Sequence, residues 1–409
     1  VAVGADGSVF VGGTFSGSAD FGAGFLVSRG SSDAYVVKYD ADGAILWSRS
    51  FGGCSGDGLA GLAIDDDGGV IVAANVSYVS GDPPCDPYFG GERIPTGFAP
   101  GPYGALAALT RYDADGAELT ARAFGPPGST TTFEDIAYDG GRVAVVGFHN
   151  NGVAFGNGIS LAAGGFDGLV ALLAASDGDA VWARSITGDN VSVDFTAVDL
   201  DADHLLIAGY FDDDVAVGAP QALLPAGSDD VALVSYARDD GAYQWHRQLG
   251  GIASDKIGGV AIGPDGSPWL AGSFTGTAYF GGGPLVAASR DGAAARFDAD
   301  GEHLVSVATD TAADDEWTAI AAYADGGAAV AGVNTTVDTG VVTRLDASAG
   351  ERWTQIITST TSVTPAAVAL GPDGSVVVVG RFEGTVSLGD LPSAASAGMA
   401  DSFIIKLAP

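Results

Sequence analysis

Asp-x-Asp-Gly stands in the chain with Asp40 and Asp42, Asp113 and Asp115, and Asp298 and Asp300, and again in the run of Asp65, Asp66 and Asp67. Carboxylates so spaced invite a calcium reading. An EF-type loop needs further oxygen ligands and a distal Glu, which do not follow, so structural turns with no more than weak Ca2+ binding are expected. Asp33, Asp167, Asp230, Asp291 and Asp401 each open an apolar run. Equivalent carboxylates there could face one mouth of a channel, but acceptors of backbone N–H bonds between strands are the expected role. Paired carboxylates also serve acid–base catalysis. Those that can be placed sit in turns that repeat, and repetition speaks for architecture.

Other reactive residues are scattered. His149, His204, His246 and His303 have no ligand spacing and read as solvated or locally bonded. Gly56 to Gly61 match Gly-x-Gly-x-x-Gly, but strand, turn and strand follow where a dinucleotide site needs a helix. No phosphate loop of the Gly-Lys-Ser/Thr kind and no Gly-x-Ser-x-Gly elbow is present. Trp47, Trp182, Trp245 and Trp353 recur on equivalent strands, with Arg49, Arg184 and Arg247 two positions on and so on the same face. Such an indole packs between repeats under an Arg stem, or else forms a sugar-stacking platform. Cys54 and Cys85 are too few for zinc, and a disulfide formed in an oxidising compartment is expected. No catalytic, cofactor or metal site emerges, and the chain is read as not an enzyme.

One segment breaks the repetition. Residues 75–104 carry Pro, Gly and the aromatics Tyr78, Tyr88, Phe89, Phe98 and Tyr103. Aromatics displayed on an inserted loop suit a partner-binding patch; the alternative is a loop folded over its own repeat and pinned to Cys54.

The elements that hold these residues repeat. A small-apolar strand, an Asp-Gly turn and a very apolar strand occur seven times, from "AVGADGSVFVGG" at Ala2 to "ALGPDGSVVVVG" at Ala369. Equivalent ends of the second strand (Gly13, Ala74, Gly147, Gly209, Gly272, Gly332 and Gly380) are spaced by 61, 73, 62, 63, 60 and 48 residues. Each unit continues through a polar loop to an apolar strand, a second tight turn and an alternating strand. Four strands per unit, A to D, at a period near 60 residues predict an all-β, seven-bladed β-propeller of antiparallel blades. The blades fall at about 1–53, 58–125, 132–188, 193–251, 256–310, 316–358 and 364–409, in one domain. The last lacks its outer strand, which residues ahead of Val1 are expected to supply.

Composition limits partners. The 409 residues include 64 Gly, and 51 acidic against 17 basic residues give a net charge of -34. Nucleic acid and anionic membrane are therefore repelled. No apolar run approaches the roughly 18 residues that would cross a bilayer, so membrane insertion is not expected. Val1 is not an initiator Met, and a removed signal peptide is compatible with that.

From Gly12 through Phe15, Phe21, Asp33, Lys38, Asp40, Gly43, Trp47, Phe51, Gly52 and Gly53 to Ala63, Asp67 and Gly68, the chain resembles the SBBP-type β-propeller repeat of secreted and surface bacterial proteins. Unit two departs by its insertion and by Thr120 in place of Trp. "LLAASDGDAVW" and "RLDASAGERW" also resemble PQQ-type propellers, but those normally have eight blades and a large cofactor site with no candidate here. The SBBP resemblance implies a secreted or cell-surface bacterial protein. The expectation is a non-enzymatic scaffold or binding module for protein partners or surface assembly, with a lectin-like, glycan-binding propeller as the alternative.

Overall fold

The computed structural model describes the chain apart from residues 80–87, 90–91, 94–102, 127, 163–164, 189–192, 310, 312 and 390; of residues 78–79, 88–89, 92–93, 103 and 193 it describes the backbone alone. Every regular element among the described residues is a strand. Two compact units are formed: Val1–Gly188 with Ala237–Ala242, and Asp189–Tyr236 with Tyr243–Pro409.

In the first unit, blade 1 comprises Ala2–Val3, Val9–Phe15, Asp33–Tyr39 and Ile45–Gly52. Blade 2 comprises Gly58–Ile64, Val70–Val79, Tyr103–Tyr112 and Glu118–Phe124, and blade 3 Thr131–Asp139, Arg142–His149, Asp167–Ala174 and Ala180–Gly188. In the second, blade 4 comprises Val193–Leu200, His204–Phe211, Asp230–Ala237 and Tyr243–Gly251; its C–D turn, Ala237–Ala242, belongs to the first unit. Blade 5 comprises Lys256–Ile262, Pro268–Tyr279, Pro284–Phe297 and His303–Ala308. Blade 6 comprises Asp315–Ala322, Ala328–Asn334, Thr339–Leu345 and Glu351–Ser359, and blade 7 Ser362–Leu370, Val376–Glu383 and Asp401–Leu407. Each blade is an antiparallel sheet in the order A, B, C, D, and blade 7 stops at C. The expected fold class, seven four-stranded antiparallel blades of the propeller type with the last lacking its outer strand, is therefore present.

Burial explains the composition of the strands. B strands, and the C strands of blades 1, 3 and 4, are covered on both faces, so they read as continuous apolar runs: Val143 to Val146 and Val376 to Val378 are wholly buried. D strands alternate, as in Ile45–Gly52. Apolar clusters lie between successive blades, with Ile71 and Leu109 of blade 2 against Phe133 and Val145 of blade 3, and Val231 and Leu233 of blade 4 against Leu270 and Phe274 of blade 5. In blades 2 to 7 one bulge interrupts the A–B pairing, at Phe133/Asp135 in blade 3 and Trp317/Ala319 in blade 6 for example.

D-strand edges are partly paired by the connection of the next blade, which limits edge-to-edge aggregation. Phe51 and Gly52 of blade 1 pair with Phe89 and Tyr88, and Gly250 and Gly251 of blade 4 pair with Tyr279 and Ala278. The insertion expected to fold over its own blade thus adds a strand to the blade before it.

Candidate functional site

The residues that open strand C meet, within each unit, the residues that open strand A of the next blade. Asp57 N donates to Ser32 O at 2.9 Å and Asp255 N to Asp229 O at 3.0 Å, closing short parallel bridges. These stitches bring Asp33 to Asp57 and Asp230 to Asp255. A Cβ on Gly52 would lie 2.6 Å from Asp57 Oδ2 and 2.7 Å from Asp33 Oδ1, and one on Gly250 would lie 2.5 Å from Asp255 Oδ2 and 3.0 Å from Asp230 Oδ1. Only glycine lets two carboxyls close over the end of strand D in this way.

All four side chains are buried, none more than 3% exposed. Backbone N–H groups compensate part of the desolvation. Asp57 accepts from Gly53 N at 2.5 Å and Ser77 N at 2.9 Å, Asp33 from Arg29 N at 3.0 Å, and Asp255 from Gly251 N at 2.7 Å. Asp230 accepts from Ala226 N and from Gln248 Nε2. Burial, reinforced by the Asp33 charge, pushes the Asp57 carboxyl up to about 6. Burial, reinforced by Asp230, does the same to Asp255, also to about 6. Asp33 is raised by burial as well. Burial disfavours the charged form of a carboxyl, which is why Asp57 and Asp255 are displaced upward despite their N–H donors.

The Asp residues at the openings of strand C are therefore enclosed: Asp33, Asp167, Asp230 and Asp291 are all buried. Asp401 is half-buried and accepts from Ala397 N at 2.5 Å. The partners Asp57 and Asp255 escaped the sequence reading, although Gly-Gly-x-x-x-Asp at Gly52 to Asp57 and Gly250 to Asp255 marks both.

The acidic turns use their carboxylates on their own backbone. Asp40 Oδ1 accepts from Asp42 N and Ala44 N, Asp113 Oδ1 from Asp115 N and Ala117 N, and Asp298 Oδ1 from Asp300 N and Glu302 N, all at 2.8 to 3.1 Å. Asp65 holds Asp67 N, Gly69 N and Arg111 Nε, while Asp67 takes Arg111 Nη2 and Asp66 the Tyr138 hydroxyl. Among the described residues no group of three His, Cys, Asp or Glu side chains is placed to hold a metal ion.

Each docked Trp sits on the C–D turn of the next blade. Trp47 Nε1 donates to Ala114 O at 3.1 Å, Trp245 Nε1 to Ala299 O at 2.9 Å and Trp182 Nε1 to Arg238 O at 2.7 Å. Arg49 and Arg247 lie over the Trp47 and Trp245 rings, the packing arrangement expected in place of a sugar platform. Gly301, at φ +76°, lies flat on Trp245, whose ring a Cβ would approach to 2.7 Å. Gly301→Val is expected to cost about 3 kcal/mol through strained backbone and displaced indole, read as a lower denaturant midpoint; an unchanged midpoint would refute the contact.

Three of the four histidines are locally bonded, His149 Nε2 to Ser185 Oγ at 3.1 Å, His204 to Asp201 and His246 Nδ1 to the Tyr243 hydroxyl at 2.7 Å, whereas the buried His303 Nε2 meets no hydrogen-bond partner among the described residues. The Ser185–His149 pair has the spacing of nucleophile and base, which sequence reading missed, but the imidazole is wholly buried. Cys54 is exposed, and Cys85 lies outside the described residues, as does Phe98. Tyr78, Tyr88, Phe89 and Tyr103 lie on strands whose side chains at those positions are also outside the described residues.

No family model matches the chain, and no curated protein matches it. Solved structures do. It is similar to the quinohemoprotein alcohol dehydrogenase of Comamonas testosteroni at 12% identity and TM-score 0.45, over 87% of this chain and 62% of that one, so it spans about three fifths of that enzyme's length. A europium-containing methanol dehydrogenase matches at 13% identity and TM-score 0.42 over 90% and 73%. The WD40 domain of Neurospora crassa Pan2 matches at 11% and 0.40 over 78% and 85%. The expectation that the chain is not an enzyme is corrected by these likenesses, since the two dehydrogenases are enzymes. Recurrence in turns identifies architecture, and says nothing about a site assembled from connections that do not repeat.

Proposed function

We propose that the chain is a recognition module of the SBBP type, secreted or held on a bacterial surface, that docks a protein partner on its B–C connections. The supporting observation is where exposed apolar side chains fall. Of the fifteen large apolar residues exposed among those described, nine lie in B–C connections or their strand extensions. Phe25 and Val27 are in blade 1, Phe166 in blade 3, Tyr279 and Val286 in blade 5, and Met399, 89% exposed, in blade 7. Neighbouring water-exposed apolar side chains on one connection, as Phe25 with Val27 in the first unit and Tyr279 with Val286 in the second, suit contact surfaces within each unit. The inserted segment of blade 2, with its five aromatics, is a B–C connection too. With a net charge of -34, the partner surface that fits is apolar and rimmed by Lys and Arg.

Retention of the purified chain on cells of the source bacterium tests this. Phe25→Ser with Val27→Ser, and separately Tyr279→Ser with Val286→Ser, are each expected to reduce retention at least about ten-fold, equivalent to about 1.4 kcal/mol. Added salt is expected to weaken it further. Undiminished retention by both double variants sinks the reading.

A further inference from the structure

We propose that the paired carboxyls of Asp230 and Asp255 form a proton-operated latch on the docking hairpin of blade 5, holding its tip closed in acid and loosening it at neutral pH. The hairpin consists of Pro268–Tyr279 and Pro284–Phe297, and the inference rests on the reading of its tip as a docking surface. Tyr279 and Val286 share one face of that tip, 53% and 71% exposed, while Ala278 and Ala287 are buried on the other.

The latch acts on the strand end that anchors the tip. Gly250 and Gly251, which finish strand D of blade 4, pair with Tyr279 and Ala278, and a Cβ on Gly251 would lie 2.1 Å from Thr277 O. The same two glycines close over the acids. Gly251 N donates to Asp255 Oδ2 at 2.7 Å, and a Cβ on Gly250 would lie 3.0 Å from Asp230 Oδ1, an enclosed atom with no hydrogen-bond partner among the described residues. Parting or solvating the carboxyls therefore lifts Gly250 and Gly251, and with them the pairing of the hairpin tip.

Ionising both carboxyls in this enclosure is opposed by desolvation and by their mutual repulsion. The surrounding groups leave that opposition in place. Asp229, on the connection into strand C, brings a third carboxylate within reach of Asp255, and its Oδ2 accepts from the Ser254 hydroxyl. Strand D supplies the Gln248 amide, which donates to Asp230 Oδ2 at 3.1 Å, and strand B of blade 5 supplies the Thr275 N–H to Asp255. The cations of these elements are solvated or engaged: Lys256 is exposed, Arg247 is held by Glu302, and Arg290, opposite Thr275, by Glu316. Burial, with Asp230 and Asp229, raises Asp255 from 3.8 to about 6. The closed form keeps the full benefit of its proton below the first value and has lost it above the second.

Blade 1 repeats the arrangement. Asp57 accepts from Gly53 N, a Cβ on Gly52 would meet both Asp57 and Asp33, and Phe51 and Gly52 pair with Phe89 and Tyr88 of the inserted connection.

The test is amide hydrogen exchange of the 409-residue chain, read over 276–286 at pH 5 and pH 7.5 and corrected for the intrinsic exchange rate. Protection there is expected to fall about five-fold between the two values as Asp255 gives up its proton, and to stay below that of His204–Phe211 at both. Asp255→Asn should show lower protection at pH 5 and no change with pH. Equal protection of the parent at both values, or a variant with the parent's pH dependence, overturns the latch. So does a fall that matches His204–Phe211 in size and level, because the opening is then global. Retention on cells of the source bacterium tells the two readings apart: the drop from pH 5 to pH 7.5 should be about two-fold larger for the parent than for Asp57→Asn with Asp255→Asn. A chain retained at neither pH that still shows the exchange change keeps the latch and loses the docking reading, whereas equal drops in parent and variant remove the latch as a regulator.

Discussion

Stability is expected to fall as the pH is taken from 5 to 7.5, the reverse of ordinary acid denaturation. A carboxyl whose folded pKa lies above its unfolded one binds more protons in the native state than in the unfolded state between the two values. For Asp57 and Asp255 that interval runs from 3.8 to about 6. Stability is greatest below it, declines as pH rises through it, and has lost the full contribution above about 6. After allowance for solvent screening, each site accounts for about 2 kcal/mol. The two lie in different units, so their effects add. The net charge of -34 acts in the same direction, because self-repulsion grows as acids ionise.

Asp57→Asn with Asp255→Asn separates the pairs from that background. Asparagine removes the ionisation but turns an NH2 toward a backbone N–H, so the double variant is expected to be less stable than the parent at pH 5 and close to it at pH 7.5. Because about half of each contribution is already lost at pH 5, urea unfolding at both pH values reads this as a difference smaller by about 2 kcal/mol. A parent protein that grows more stable toward pH 7.5, or a double variant with the parent's slope, would falsify the assignment of the pairs.

The strands were legible in the sequence because their causes are local. Alternation along Ile45–Gly52, unbroken apolar runs such as Val376 to Val379, and Asp-Gly turns each lie within a few residues. The acid pairs were half legible. Asp33 and Asp230 stood out by opening strands, but Asp57 and Asp255 follow 24 and 25 residues later, and no single-strand pattern links them. Arg49 was correctly put on the face of Trp47, while the turn beneath that indole, 67 residues on, was not predicted. What stayed hidden in each case was a contact between blades, fixed by register and stitching.

Replacing the glycine that ends the counted part of strand B is expected to be among the most damaging single changes in the chain. The spacings that revealed the repeat were measured on Gly147, Gly209, Gly272, Gly332 and Gly380, and none of these has the positive φ that usually explains a glycine. The cause is the A-strand bulge. Gly332 pairs with Trp317, where the bulge begins, and a Cβ there would lie 2.0 Å from Glu316 O and 2.9 Å from Trp317 Cα. Gly272 would meet Lys256 O at 2.0 Å and Gly147 would meet Thr132 O at 2.0 Å. These obstacles are backbone atoms inside a paired sheet, so they cannot swing aside as a side-chain end does. Gly332→Ala or Gly272→Ala should cost about 3 kcal/mol or more, whereas Gly283→Ala, with open space around it, should stay within about 0.5 kcal/mol. Blade 2 has Ala74 at this position, buried and opposite Leu59, so one bulge has opened enough to take a methyl. Ala74→Gly should therefore cost only about 1 kcal/mol, from the lost contact and added chain freedom. Chemical denaturation of the four variants orders them directly, and a Gly332→Ala protein as stable as Gly283→Ala would mean that the bulge does not press on strand B in solution.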